Sequence, residues 1–213
     1  ALPTDKAANP INLYGASKLA SDKIFVAARN LVGQGDPIFG VVRYGNVIGS
    51  RGSVIPFYRQ LINNGERELP ITDSRMTRFW ITLEEGVDFV LSCFSHLVGG
   101  EIFVPKIPSM KISDLANTMA PDLRTKVVGI RPGEKLHETM ITEDDARTTT
   151  ELADRFIIFP AMYQHGRANI ESGSPLPEGF VYASNTNTDW LTPDQLTTIL
   201  EGLSMGPESI AER

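Results

Sequence analysis

The sequence predicts an α/β fold. Helical and extended segments alternate along the chain, which favours helices packed on a sheet. A short run rich in β-branched and aromatic residues, 38–44, leads directly into a glycine-rich loop. No internal repeat or low-complexity tract points elsewhere. In chain order, a helix is expected over 10–30, with Asn9 as N-cap and Pro10 in the first turn. Ala16, Leu19, Ala20, Ile24, Ala27 and Leu31 recur there at helical spacing. Residues 33–37 read as a turn, 38–44 as a buried strand and 53–63 as a second helix. A short strand follows at 69–72. Thr82 caps a helix through residue 95, with Glu85 at the capping-box position. Strands are expected at 101–104 and 125–129, and a helix at 112–119. Prolines and glycines without periodicity make 160–180 a long loop, and Thr192-Pro193-Asp194 opens a last helix through residue 200.

Composition narrows the classes of function. The 213 residues are 41% hydrophobic and 22% charged, ordinary for a globular protein. That length suits one large domain or one and a half. The net charge of −6 argues against a dedicated nucleic-acid binder. Residues 1–137 carry 16 basic and 13 acidic groups, whereas 138–213 carry 4 and 13. An anionic substrate is therefore held more easily by the first part, although the acidic tail also suits a plain solvated surface. The lone Cys93 excludes an intrachain disulfide and a cysteine zinc site, and fits a reducing, cytoplasmic setting. No apolar run reaches the ~18 residues of a membrane span, so no membrane partner is expected.

Tyr14 and Lys18 stand four residues apart and share one face of the expected helix. A phenol is a poor base at neutral pH, and a nearby ammonium favours its ionised form. Such a tyrosine can take a proton from an alcohol while hydride leaves for a nicotinamide. Thr4, ten residues upstream at a strand end, can orient the same hydroxyl. The spacing alone is weak, since many helices carry it by chance. The glycine loop, Gly45 to Gly52, lacks the G-x-G-x-x-G spacing and a P-loop lysine, so it is either a phosphate-binding loop or a plain strand-to-helix turn.

Context makes the motif specific. The run Thr4-Asp5-Lys6-Ala7-Ala8-Asn9-Pro10 through Tyr14-Gly15-Ala16-Ser17-Lys18 resembles the active-site segment of the extended short-chain dehydrogenase/reductase superfamily. More narrowly, it is similar to the inverting UDP-N-acetylglucosamine 4,6-dehydratases that open pseudaminic acid biosynthesis. Arg43-Tyr44-Gly45-Asn46-Val47, Gly49-Ser50-Arg51-Gly52-Ser53, Met76-Thr77-Arg78-Phe79-Trp80 and Arg131-Pro132-Gly133-Glu134-Lys135-Leu136-His137-Glu138 extend the match over most of residues 1–145.

The resemblance implies a C-terminal part of a doubly wound Rossmann-type parallel sheet plus a small α/β substrate-binding domain. Residues 1–64 would belong to the NADP-binding domain, and 65–213 mainly to the nucleotide-sugar domain with returns to the first. Thr4, Tyr14 and Lys18 would form the oxidation triad. Lys6 would be the base that removes the C5 proton, and Asp5 the acid that assists loss of the C6 hydroxyl. A lysine needs a depressed pKa for that task, which burial or cationic neighbours can supply. Tyr14, Lys18 and residues Val47, Ile48, Gly49, Ser50 and Arg51 would lie against NADP. Asn46, Val54, Arg131, Glu134, Tyr182 and Ser184 would hold UDP-N-acetylglucosamine, with Arg131 as the diphosphate clamp. No metal is implied, and a homo-oligomer is.

The family's glycine-rich G-x-x-G-x-x-G segment does not occur in these 213 residues. The chain is therefore expected to be part of a longer protein and inactive by itself. Pro3 stands where the family has serine. A nucleotide-sugar 4-epimerase, a retaining 4,6-dehydratase and a non-catalytic nucleotide-sugar-binding fragment remain alternatives, the epimerase needing Tyr14 and Lys18 but not Asp5 and Lys6.

Overall fold

The apolar runs fold into four small sheets packed by helices, in a computed structural model that describes residues 1–32, 37–160 and 173–205. The elements are α1 (Leu13–Ala28), β1 (Val41–Val42), β2 (Asn46–Val47), α2 (Val54–Asn63), β3 (Glu68–Ile71), β4 (Thr77–Ile81), α3 (Leu83–Cys93), β5 (Ile102–Pro105), β6 (Ser109–Lys111), α4 (Ile112–Met119), β7 (Arg124–Val127), β8 (Thr139–Ile141), α5 (Glu143–Ala146), β9 (Thr149–Glu151), β10 (Arg155–Ile158), β11 (Ser174–Pro175), β12 (Tyr182–Ala183) and α6 (Pro193–Met205).

The largest sheet has the order β1-β5-β10-β9-β11, with β1 and β5 parallel and the remaining pairs antiparallel. Residues 1–4 extend it beside β1. The Val42 amide donates to the Ala1 carbonyl, and Thr4 bridges Tyr44 in parallel. Two further parallel pairs, β2 with β4 and β3 with β7, carry the chain away from that sheet. One apolar cluster forms around Val41, Ile102, Val104, Phe156 and Tyr182, flanked by a smaller one around Phe103 and Ile157. Another joins α2, α4 and α6 through Ile55, Tyr58, Leu115 and Leu196. The site lies between them, at the ends of β1 and β2.

Several expectations hold. The capping box at Thr82 forms in both directions, with Glu85 donating its amide to the Thr82 hydroxyl and accepting from the Thr82 amide. Helix α4 spans Ile112–Met119. Met110, Met140 and Trp80 are core residues, Met119 packs beside the core, and Trp190 is partly exposed instead. The expected strand over 38–44 shrinks to Val41–Val42 with a bridge at Tyr44. The strands Thr77–Ile81 and Arg155–Ile158, rich in β-branched and aromatic residues, and the three-residue strands Ser109–Lys111, Thr139–Ile141 and Thr149–Glu151 add to those expected. Most of the turn expected over 33–37 and most of the loop over 160–180 lie outside the described residues.

The first helix needs two corrections. It starts at Leu13, not Pro10, because Asn12 is the cap: its Oδ1 accepts from the Gly15 amide at 2.7 Å. Asn9 instead takes a left-handed backbone with φ of 47°, which suits asparagine better than most residues. The apolar stripe is also not the buried face. Ile24 is 65% exposed, and among α1 residues only Gly15 and Asp22 are fully buried. Gly15 lets the helix approach the Lys6 turn, since a Cβ there would lie 2.8 Å from the Lys6 carbonyl oxygen. Asp22 ties the helix to the sheet through Arg43, which donates at 2.7 Å to Asp22 and at 2.8 Å to Asp145.

Arg43 and Asp22 both sit out of water, so removing one partner strands a buried charge. Arg43→Met should cost about 3 to 5 kcal/mol of folding stability, measured as a drop in denaturation midpoint, whereas Arg147→Met on the exposed face of α5 should cost under about 0.5 kcal/mol.

Candidate active site

A cleft of about 1150 Å³ opens where the strand ends meet the Arg131–Glu138 segment. Its wall brings together residues far apart in sequence. From the first turn come Thr4 and Lys6, from α1 Tyr14, from β2 Asn46 and Val47, and from the loop and α2 Ser50 and Val54. Arg78 on β4 joins them, together with Arg131, Glu134, Lys135 and Glu138.

The first turn is fixed by its own hydrogen bonds. Thr4 caps a single 3-10 turn, Asp5–Ala7, and its hydroxyl oxygen accepts from the Lys6 amide at 3.3 Å. The Asp5 amide donates to the Tyr44 carbonyl, so the turn starts where the strand pairing stops. Asp5 is fully buried, and Lys6 Nζ donates to its Oδ1 at 2.9 Å. Lys6 Nζ also donates to Asn46 Oδ1 at 3.3 Å and stands 3.8 Å from Glu138 Oε1.

The electrostatics run against one expectation. Burial by itself would pull the Lys6 pKa down, but the carboxylates of Asp5 and Glu138 outweigh it and hold the ammonium above its ordinary value. At rest Lys6 is therefore an acid, not a free base. Burial raises the Glu138 carboxyl, and the nearby Asp5 charge adds to the rise against the pull of Lys6, Arg78 and Lys135. Burial also raises the Tyr44 phenol, with Tyr14 and Asp5 beside it, so Tyr44 stays neutral. His137 is held below its usual value by burial and by Arg78 and Arg75, and its Nδ1 lies 2.8 Å from the Thr77 hydroxyl.

Tyr14 is 55% exposed and lines the cleft. Lys18, one turn on, lies with its ammonium 5.2 Å from the centre of the Tyr14 ring. The two side chains thus share one environment, although Lys18 does not itself reach the cleft wall. In the glycine loop, Val47 and Ser50 line the cleft, while Ile48 turns into the core and Gly49 and Arg51 sit outside the wall. Gly45 lets β2 pass β4 closely, because a Cβ there would lie 2.6 Å from Phe79 Cβ.

Tyr182 and Ser184 need correction as direct ligand contacts. Both are buried behind the wall. The Tyr182 hydroxyl donates to the Ile107 carbonyl at 3.1 Å and accepts from its amide at 3.0 Å. Ser184 braces the wall instead: its hydroxyl oxygen accepts from the Glu138 amide at 3.0 Å, and its own amide donates to the Glu138 carbonyl.

Three residues hold the cleft together, of which Asn12 and Lys135 were given no role from the sequence. Asn12 caps α1 and donates to the Gly133 carbonyl at 2.7 Å, which ties α1 to the Arg131–Glu134 turn. Lys135 donates to the Ala8 carbonyl at 2.6 Å. Arg78 donates to the carbonyls of Thr77, Lys135 and Leu136 and faces Glu134 and Glu138 at 3.8 Å each. The i, i+3 pair of Lys135 and Glu138 was the one local signal available. Among the described residues no group of histidine, cysteine or carboxylate side chains is arranged to hold a metal. No helix there is long and apolar enough to cross a membrane.

The parallel strand ends, the tyrosine–lysine helix and the cleft between them define an α/β scaffold with a candidate site. Comparison with known proteins makes the class specific. The family described as "Polysaccharide biosynthesis protein" matches residues 1–160, and the chain belongs to it. It is 55% identical over 207 residues to the UDP-N-acetylglucosamine 4,6-dehydratase (inverting) of Campylobacter jejuni serotype O:2, covering 94% of this chain and 62% of that protein. It is 40% identical over 161 residues to the UDP-glucose 4-epimerase of Rickettsia akari, covering 74% and 47%. The chain thus spans less than two thirds of the length of these relatives. Among solved structures, Pen from Bacillus thuringiensis superposes with a TM-score of 0.81 at 30% identity, over 95% of this chain and 62% of that one. The dTDP-glucose 4,6-dehydratase DesIV of Streptomyces venezuelae, at 17% identity and a TM-score of 0.51 over 63% of this chain and 48% of its own, shares the fold. The fold is accordingly the Rossmann-type α/β fold of the short-chain dehydrogenases, dehydratases and epimerases.

Because its hydroxyl is satisfied at Ile107 and not in the cleft, Tyr182→Phe should lower folding stability by about 1 to 3 kcal/mol while leaving UDP affinity unchanged in a titration.

Proposed function

We propose that the protein containing this chain dehydrates UDP-N-acetylglucosamine to a UDP-4-keto-6-deoxy-L-arabino-hexulose with inversion at C5, using NADP, as an early step in pseudaminic acid synthesis in the cytoplasm. The observation that carries the proposal is the adjacency of Tyr14, Thr4 and Lys6 on one cleft wall, with the buried Asp5 bonded to Lys6 behind it and Arg131 and Glu134 on the facing segment. The 55% identity to the Campylobacter jejuni enzyme supports it.

The residues present fit a nicotinamide. Tyr14 presents an exposed phenol on the cleft, Lys18 covers its ring, and Val47 and Ser50 line the adjoining wall. When bound, NADP would supply hydride acceptance from C4 and hydride return at C6. Tyr14 would take the C4 hydroxyl proton, with Thr4 orienting that hydroxyl and the Lys18 ammonium beside the phenol ring. The resulting ketone acidifies the C5 proton, which Lys6 would remove while Asp5 protonates the departing C6 hydroxyl as water. A proton delivered to the opposite face of C5 would give the inverted sugar. Arg131 would clamp the diphosphate as a planar fork, and Glu134 would accept from a ribose hydroxyl. Asn46 and Val54 would contact the sugar nucleotide.

Residues 1–64 would form part of the cofactor domain and 65–213 mainly the nucleotide-sugar domain, with β5, β9 and β10 returning to the first sheet. A homo-oligomer is supported by apolar side chains that α1 and α3 leave in solvent, among them Ile24, Leu91 and Phe94. The 213 residues alone should be inactive and bind NADP weakly, and adding the N-terminal segment of a relative should restore turnover. The epimerase alternative draws on the Rickettsia relative but gives Asp5 and Lys6 no task.

Heavy water separates the two readings. Deuterium at C5 of a 4-keto-6-deoxy product is expected, and an intact C6 hydroxyl with inverted C4 would point to the epimerase. Tyr14→Phe should reduce turnover by at least about 100-fold, the scale of a lost general base; unchanged turnover would remove the triad assignment.

A further inference from the structure

Glu138 has no task in the scheme above, yet its surroundings are specific. Its side chain is 4% exposed, lines the cleft and faces three cations: Lys6 and Arg78 at 3.8 Å and Lys135 at 3.5 Å. Its Oε2 accepts no hydrogen bond. The Glu138 backbone is held on both sides by Ser184, which fixes where its side chain leaves the main chain. Arg78 and Lys135 are equally fixed, each bonded to main-chain carbonyls. Such a rigid group of charges contributes a constant field at the acid–base pair rather than a mobile contact.

We propose that Glu138 is a positioning residue, a fixed counter-charge that keeps one proton on the Asp5–Lys6 pair. The charges that bear on Lys6 are Asp5 on its own turn, Glu138 ahead of β8, Arg78 on β4 and, through Glu138, Lys135. Asn46 contributes a neutral acceptor, and the phenols of Tyr14 and Tyr44 line the same cleft. With Glu138 ionised, two buried carboxylates face three cations. Without it, Arg78 and Lys135 would confront Lys6 with Asp5 and the more exposed Glu134 as the carboxylates at hand. Lys6 would then hold its proton less tightly, with Asp5 as its remaining close carboxylate.

This assignment rests on the dehydratase reading for its consequence. The reaction needs an amine to take the C5 proton and a carboxylic acid to release the C6 hydroxyl. The resting pair is an ammonium and a carboxylate 2.9 Å apart. Moving the one proton from Lys6 Nζ to Asp5 Oδ1 yields amine and acid together, with no outside donor. Removal of the C5 proton and loss of water then return the pair to ammonium and carboxylate, so protons balance. Glu138 keeps the pair loaded for that exchange.

The test reads Lys6 directly. Competitive acylation of the full-length protein with acetic anhydride over a pH series, followed by peptide mass spectrometry, gives the proton affinity of Lys6 without turnover. Glu138→Gln should lower the pKa of Lys6 by about one unit, seen as an approximately tenfold faster acylation near neutral pH. Glu138→Asp, which keeps the charge but withdraws it, should fall between, and serves if the glutamine variant does not fold. Glu151→Gln, paired with Lys106 elsewhere, should leave Lys6 unchanged. In turnover, Glu138→Gln should lower kcat about tenfold or more and move its pH optimum downward, with KM nearly constant. Unchanged Lys6 acylation in a folded Glu138 variant overturns the proposal. A shifted Lys6 in a protein whose wild type makes no 4-keto-6-deoxy sugar supports the counter-charge and removes the dehydratase reading instead.

Discussion

Asp5 lies wholly out of water, and Lys6 is the cation within hydrogen-bonding reach of it. A buried carboxylate without a partner would be costly, so the turn that carries it must deliver the ammonium as well. That requirement shapes the neighbourhood. The turn is capped by Thr4, started by the Tyr44 carbonyl and approached closely by α1 at Gly15. The approach is possible only because that position lacks a side chain. The tyrosine helix and the acid–base pair are thus held in one geometry by the same few contacts.

A second constraint comes from the strand ends. Chain segments 1–4 and β1 run parallel, so their carboxyl ends open on the same side. In open α/β sheets that side is where ligands bind. The Arg131–Glu138 segment closes the other wall through stitches to Asn12, Ala8 and Ser184. These are hydrogen bonds between segments more than 40 residues apart, and they make the cleft a product of the whole fold. The buried Arg43 bridge to Asp22 and Asp145 carries the same tie to the far end of the helix.

The positive character of the first part of the chain acquires a location in this arrangement. Lys6, Arg78, Arg131 and Lys135 all reach the cleft wall, balanced there by Glu134 and Glu138. A diphosphate entering the cleft would meet an exposed arginine on a tight turn, while the charges deeper in the wall are already paired. Under the proposed function, recognition and chemistry would be served by different cations of the same cluster.

Much was legible in the sequence because it depends on short-range rules. The capping box at Thr82, helix α4 and the spacing of Tyr14 and Lys18 follow from local hydrogen bonding and helical geometry. The ordered motifs around Asp5–Lys6 and Arg131–Glu134 sufficed to indicate the family. Other features depended on partners that no local window contains. The stripe of α1 at Ala16, Ala20, Ile24 and Ala27 faces solvent because Gly15 and Asp22, with Phe25 and Val26, turn to the sheet instead. Tyr182 and Ser184 sit behind the cleft because their hydroxyls are spent on Ile107 and Glu138. Lys6 keeps its proton because Asp5 beside it and Glu138, 132 positions away, are both folded against it. Residue order determined which chemical groups the protein possesses and which helices can form; only the packed chain decided their charge states, because Coulomb forces act through distance in space and not along the backbone.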